Sequence, residues 1–310
     1  MMTCDKLTGL IAATFTPMHE DGHIKPGPIG AYSRYLIENG LAGAFINGTT
    51  GEGISLTLEE RKLTAEEWMR HQSGDFKNII HVGSSSLEVC KELAVHAREI
   101  GAYGIGIMGP SFFKPATTAE LLAFISEIAM LVLDMPVYYY HIPSMSGVSL
   151  SMPAFLEQAS DRIPNLVGLK FTHWDLMELN RCMMVGDGKY DLLYGSDETL
   201  LCGLSLGVKG AVGSTYNQIP SVYLRLMERF GAGDLEEARA MQRISVDLVT
   251  ILNRYGGGVV GGKAIMKFLG MDLGPCRLPI RNLSSEQIEE LKKDLEGMSF
   301  FRMGELINAN

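Results

Sequence analysis

The feature that most constrains this chain is an alternation of two hydrophobic periods. Eight short runs rich in β-branched or aromatic residues lie at 9–15, 43–47, 78–83, 103–108, 137–142, 166–171, 191–194 and 210–213. Each leads into Gly, Ser, Thr or Asn and then a helical pattern. The amphipathic segments at 58–71, 87–100, 119–133 and 175–185 repeat their apolar positions at three and four. Strands apolar on both faces and separated by helices pair in parallel through right-handed crossovers. Eight such units predict an α/β fold in which the strands close into a (β/α)8 TIM barrel rather than an open doubly wound sheet. The eighth helix is expected near 221–230. Three further helical patterns follow at 235–255, 263–269 and 284–296 with no strand between them. The expected organisation is therefore a barrel over 1–228 and a C-terminal three-helix extension over 229–310. Ser284 stands three residues before Gln287, a capping-box start for the last helix.

Charge narrows the partners. The 310 residues carry 27 basic and 36 acidic side chains, a formal net charge of −9. That leaves no electrostatic footprint for nucleic acid or for an anionic membrane surface. Cys4, Cys90, Cys182, Cys202 and Cys276 are scattered, with no C-x-x-C pair. Neither a disulfide framework nor a zinc knuckle is indicated, and a reducing cytoplasm is the expected location. The opening Met-Met-Thr-Cys-Asp-Lys does not read as a signal segment, and no stretch of ~18 apolar residues occurs.

In such a barrel the chemistry lies where strands end and βα loops begin. The second strand ends in Gly48-Thr49-Thr50-Gly51-Glu52, whose backbone N–H groups and hydroxyls can hold a carboxylate; the alternative is a glycine turn capping the next helix. In the sixth run, period-two alternation puts Val167, Leu169 and Phe171 on one face and Gly168, Lys170 and Thr172 on the other. With the first set against the helices, Lys170 points into the barrel. Burial there favours the neutral amine that Schiff-base formation requires. The competing reading is a lysine that reaches solvent or pairs with Asp197. On the fifth strand Tyr138 and Tyr140 point the same way, and Tyr140 can stand beside Lys170 as a proton relay, since a neighbouring iminium would lower its pKa. Aromatic packing is the expected role of Tyr138 and Tyr139. The seventh strand ends in Gly195-Ser196-Asp197-Glu198 and the eighth in Gly213-Ser214-Thr215. Carboxylates and hydroxyls at one mouth suit a polyhydroxylated ligand, although Asp197 and Glu198 can equally cap a helix.

Together, GTTGE at 48–52, YYYHIP at 138–143, GLK at 168–170, GSDE at 195–198 and GAVGSTYN at 210–217 resemble the N-acetylneuraminate lyase branch of the dihydrodipicolinate synthase superfamily. GKAIM at 262–266 and GPCRLPI at 274–280 extend the resemblance to the last helices. It is most similar to the animal-type lyases, in which histidine follows the motif tyrosine, as His141 does here. The resemblance implies a class I aldolase, usually a homotetramer, that cleaves N-acetylneuraminate reversibly to pyruvate and N-acetylmannosamine. It assigns Lys170 as the Schiff-base lysine and Tyr140 as the proton relay. It assigns Thr49 and Thr50 to the keto-acid carboxylate, and Thr172, Gly195, Asp197, Glu198 and Ser214 to the hydroxylated tail. No cofactor and no metal is expected. Met145 occupies the place where the synthase branch carries an arginine for a second carboxylate, which argues against the synthase reaction. Another 2-keto acid lyase or synthase, or a non-catalytic sugar-acid binding protein, are the alternatives.

Some patterns mislead. Gly256, Gly258 and Gly261 fit G-x-G-x-x-G, but a helix precedes them; Gly257, Gly262 and Lys263 fit a P-loop until Ala264. Gly104, Gly106 and Gly109 repeat the dinucleotide spacing inside a strand. His19 and His23 flank Asp21 in a loop marked by Gly22 and Pro26, so a solvated loop is expected. Ser84-Ser85-Ser86 reads as a helix cap. Met183 and Met184 read as core filler, and Cys182 and Cys202 as structural.

Overall fold

Each apolar run forms a strand in the computed structural model, which describes residues 5–302. The strands are β1 (Gly9–Ala13), β2 (Gly43–Ile46), β3 (Lys77–His81), β4 (Gly104–Met108), β5 (Val137–His141), β6 (Leu166–Phe171), β7 (Asp191–Tyr194) and β8 (Gly210–Gly213). They pair in sequence order and close into a barrel. The β1–β8 pairing that seals the ring is parallel, like the others. Closure leaves no sheet edge. Residues 1–4, Cys4 among them, lie outside the described residues.

The outer layer comprises α1 (Ile29–Glu38), α2 (Leu58–Arg70), α3 (Leu87–Glu99), α4 (Thr118–Ala129), α5 (Pro143–Ser146), α6 (Met152–Ala159), α7 (Leu176–Met184), α8 (Leu200–Leu206) and α9 (Pro220–Gly231). The extension supplies α10 (Leu235–Arg254), α11 (Gly257–Phe268) and α12 (Ser285–Gly297). The helices that periodicity did not single out include α5 and α6. Each carries Pro in its first turn, where the missing N–H costs nothing and the fixed φ favours helix. Ser284 forms the expected capping box with Gln287, and Ser86 caps α3.

Strand alternation divides the core. Ile11, Phe45, Ile79, Tyr138, Tyr140, Leu193 and Val212 fill the barrel interior. Leu10, Ala44, Ile80, Ile105, Tyr139, Leu169 and Phe171 pack outward with Trp68, Leu122 and Phe155. One expectation needs correction: Val167 belongs to the inner cluster, not to the face of Leu169 and Phe171. A register shift causes this, because Val137 pairs with Leu166 while Tyr138 pairs with Gly168, so β6 carries one extra residue there. Beyond the bulge the alternation resumes and Lys170 faces inward. Met184 likewise departs from the core-filler reading, being exposed at the end of α7.

The extension is fastened to the barrel mouth. Gln242 and Ser245 of α10 donate to the Asp197 carbonyl at 3.1 and 3.3 Å. Helix α11 starts earlier than periodicity suggested, because Gly256 and Gly257 at φ +80° and +81° lead into it. It carries Lys263, whose Nζ donates to Glu52 Oε1 at 2.8 Å and to the Pro275 carbonyl at 2.7 Å. Glu52 itself sits at φ +56° and takes the Arg277 N–H on Oε2 at 2.7 Å. Both charged side chains are almost wholly buried, at 3% and 0% exposure. Removing one partner of such a pair strands the other charge. Lys263→Met should therefore lower the unfolding free energy by about 3–5 kcal/mol, measured by urea denaturation. A loss below about 1 kcal/mol would mean that the pair does not anchor the extension.

Candidate active site

Lys170 lies near the C-terminal end of β6, directly opposite Tyr140 on β5. Its side chain is buried. The Nζ rests 4.0 Å from the centre of the Tyr140 ring and 4.1 Å from that of Phe45. Among the described residues no carboxylate lies within ion-pair distance of this nitrogen, so the pairing with Asp197 does not form. Burial lowers the Lys170 pKa to about 7, partly opposed by the charge of Asp197. A substantial fraction of the amine is then neutral and nucleophilic near pH 7.

The phenol of Tyr140 shares a 3.3 Å hydrogen bond with Thr49 Oγ1. Burial raises its pKa to about 12, so the phenol keeps its proton near neutral pH. Asp197 is buried as well and does not cap α8; its carboxylate accepts from the Thr215 N–H at 2.8 Å and from Thr215 Oγ1 at 2.6 Å. Burial raises its pKa to about 6, against those hydrogen bonds. Two glycines make room for these side chains. A Cβ on Gly213 would stand 2.0 Å from Asp197 Oδ1, and one on Gly195 would stand 1.9 Å from Thr172 Oγ1.

Lys170, Tyr140, Thr49, Thr50, Thr172, Gly195, Asp197, Glu198 and Ser214 all line one cavity of about 250 Å³ at this end of the barrel. The loop bearing Thr49 and Thr50 does not cap α2, whose cap is Thr57. Sequence reasoning missed the wall supplied by the extension: Val249, Leu252 and Asn253 from α10 with Gly258 and Val259 from α11. Gly258 lies against Ser214, its would-be Cβ 3.2 Å from Oγ. The glycine run that imitates nucleotide motifs is thus a close-packed rim. No arginine lines the cavity among the described residues, and Met145 is 63% exposed and outside it. His19 and His23 are exposed on their loop, as expected.

This is a (β/α)8 barrel in which, among the described residues, Lys170 is the one amine lining the cavity at its mouth. Residues 6–298 match the dihydrodipicolinate synthetase family, and the chain belongs to that family. It is 42% identical over 297 residues to N-acetylneuraminate lyase of Gallus gallus, covering 94% of this chain and 96% of that one. To the Homo sapiens N-acetylneuraminate lyase it is 40% identical over 309 residues, covering 98% and 97%. Among solved structures, the Proteus mirabilis N-acetylneuraminate lyase superposes with a TM-score of 0.92 at 39% identity, covering 96% of this chain and 100% of that one. The sialic acid aldolase of Aliivibrio salmonicida gives 0.93 at 38%, covering 96% and 98%.

The lowered Lys170 pKa has a thermodynamic sign. Below about pH 7 the buried amine must be protonated against its surroundings, so its penalty on folding is complete; the penalty fades as pH rises toward the ordinary lysine value of 10.5. Lys170→Met should therefore raise the melting temperature at pH 6–7, by an amount that shrinks steadily toward pH 10. A gain independent of pH would show that Lys170 titrates normally.

Proposed function

We propose that this chain is a class I aldolase that cleaves N-acetylneuraminate reversibly to pyruvate and N-acetylmannosamine. The observation that carries the reading is Lys170: buried, unpaired with any carboxylate, and the only cationic side chain among the described residues lining the cavity. The neutral amine attacks C2 of the open-chain keto acid, and loss of water gives an iminium whose positive charge accepts electrons from the C3–C4 bond. Tyr140 takes the C4 hydroxyl proton as that bond breaks. The aldehyde leaves and a pyruvate enamine remains on Lys170. Protonation at C3 and hydrolysis then release pyruvate and restore the amine. A phenol held near 12 is a poor base, but an iminium formed beside its ring lowers that value, so the base appears only after the substrate is bound.

Thr49 and Thr50 hold the substrate carboxylate through neutral donors. Thr172, Gly195, Asp197, Glu198 and Ser214 receive the hydroxylated tail. Among the described residues no arginine lines the mouth, which favours this reaction over condensation with a second carboxylated substrate. We further propose a homotetramer acting in the cytoplasm. Exposed Phe112, Phe113, Trp174 and Met177 offer apolar surface for self-association. The free thiols of Cys90, Cys182, Cys202 and Cys276 suit a reducing compartment. No helix among the described residues is long and apolar enough to cross a membrane.

Borohydride added with pyruvate should trap a covalent adduct on Lys170, located by peptide mass spectrometry; an unmodified Lys170 would rule the mechanism out. Tyr140→Phe should lower kcat for cleavage by about 10²–10⁴-fold while leaving pyruvate trapping near wild type. Equal loss of both would assign Tyr140 to packing around the amine instead of proton transfer. A coupled pyruvate assay across a panel of sugar acids separates sialic acid cleavage from another 2-keto acid lyase and from simple binding.

A further inference from the structure

We propose that this protein binds one divalent transition-metal ion, zinc by its donor set, through His141, His173 and Glu178 on the outside of the barrel. His141 ends β5, His173 follows β6 and Glu178 lies in the first turn of α7. One ligand atom from each lies within 4.8 Å of the other two. The His141 Nε2 to Glu178 Oε2 distance is 3.7 Å, too long for a hydrogen bond.

The orphaned nitrogens point to a ligand. His141 is 1% exposed, yet neither of its ring nitrogens has a hydrogen-bond partner, and His173 Nδ1 has none either. A buried polar atom left without a partner is destabilising. Packing alone would be served better by phenylalanine, as at the neighbouring Phe171, 5.2 Å away between ring centres. Two imidazoles and one carboxylate form a donor set that suits zinc, with a fourth position left for water or an anion. Around tetrahedral zinc, donors stand about 3.4 Å apart, so small side-chain rotations close the site. Glu178 is already held, accepting the Met152 N–H on Oε1 at 2.9 Å while Oε2 stays available. A cavity of about 270 Å³, lined also by Asp175 and Arg181, gives an entry path and room for the fourth ligand.

The position gives the ion a role. His141 is adjacent to Tyr140 and His173 to Thr172, on the opposite face of the same strand ends. Zinc bound there would join β5, β6 and α7 directly behind the aldolase residues, a structural clip outside the reaction cavity.

The test is isothermal titration of chelator-dialysed full-length protein with zinc chloride, beside thermal unfolding with and without the metal. One equivalent should bind with a rise in melting temperature. His173→Asn and Glu178→Gln, checked for native circular dichroism, should each weaken binding at least about tenfold. Cobalt substituted for zinc should give the strong visible absorption of a four-coordinate site in the wild type only. Failure of the wild type to bind zinc would overturn the proposal and leave water as the partner of these nitrogens. Undiminished binding in both variants would overturn it too, placing the ion elsewhere, as at exposed His19 and His23.

Discussion

A primary amine enclosed by a ring of strands cannot keep its proton on the terms that bulk water offers. The structure of this barrel mouth follows from that constraint. Lys170 is surrounded by the rings of Phe45 and Tyr140, and its one long-range electrostatic support is a buried carboxylate, Asp197. A contact ion pair with Asp197 would hold the amine charged and inert as a nucleophile. Instead Asp197 Oδ2 accepts both the N–H and the hydroxyl of Thr215, and burial raises the carboxyl's own pKa. The two groups are tuned toward each other without neutralising the site. The same apolar enclosure raises the Tyr140 pKa and keeps its phenol protonated near neutral pH.

The precision this chemistry needs comes from outside the eight strands. Thr49 and Thr50 lie on a loop with left-handed residues, Asn47 at φ +60° and Glu52 at φ +56°. Such a loop is costly to hold. The buried Glu52–Lys263 pair and the Arg277 N–H fasten it to the C-terminal extension, whose helices also build one wall of the cavity. The extension is therefore part of the cavity: removing it would take away both a wall and the anchor of the loop that carries Thr49 and Thr50.

Much of this was legible in the sequence, and the limits have physical causes. Eight strands were found because parallel barrel strands are buried on both faces and read as short apolar runs. Lys170 stood out because a cation in such a run has to be explained. The assembly of all nine nominated residues in one cavity follows from the rule that strand C-termini converge. Val167 was misplaced because a bulge changes alternation without changing composition. Lys263 falls in a failed nucleotide motif and in the family-like GKAIM stretch, but its ion pair is not legible there, since nothing local reveals a partner at Glu52, far away in the chain. His141, His173 and Glu178 have no metal-binding spacing; only the fold brings them together.

The central claim is that enclosure makes the Lys170 amine available near neutral pH. The direct measurement is its own titration, by competitive labelling of the substrate-free protein with an amine-selective reagent across pH 5–11, with Lys170 quantified by mass spectrometry. An apparent pKa of about 7 is expected for Lys170, well below that of the exposed lysines measured in the same samples. A value near the ordinary 10.5 would contradict it, and the barrel interior would then have to be wetter or more negative around Lys170 than this structure makes it.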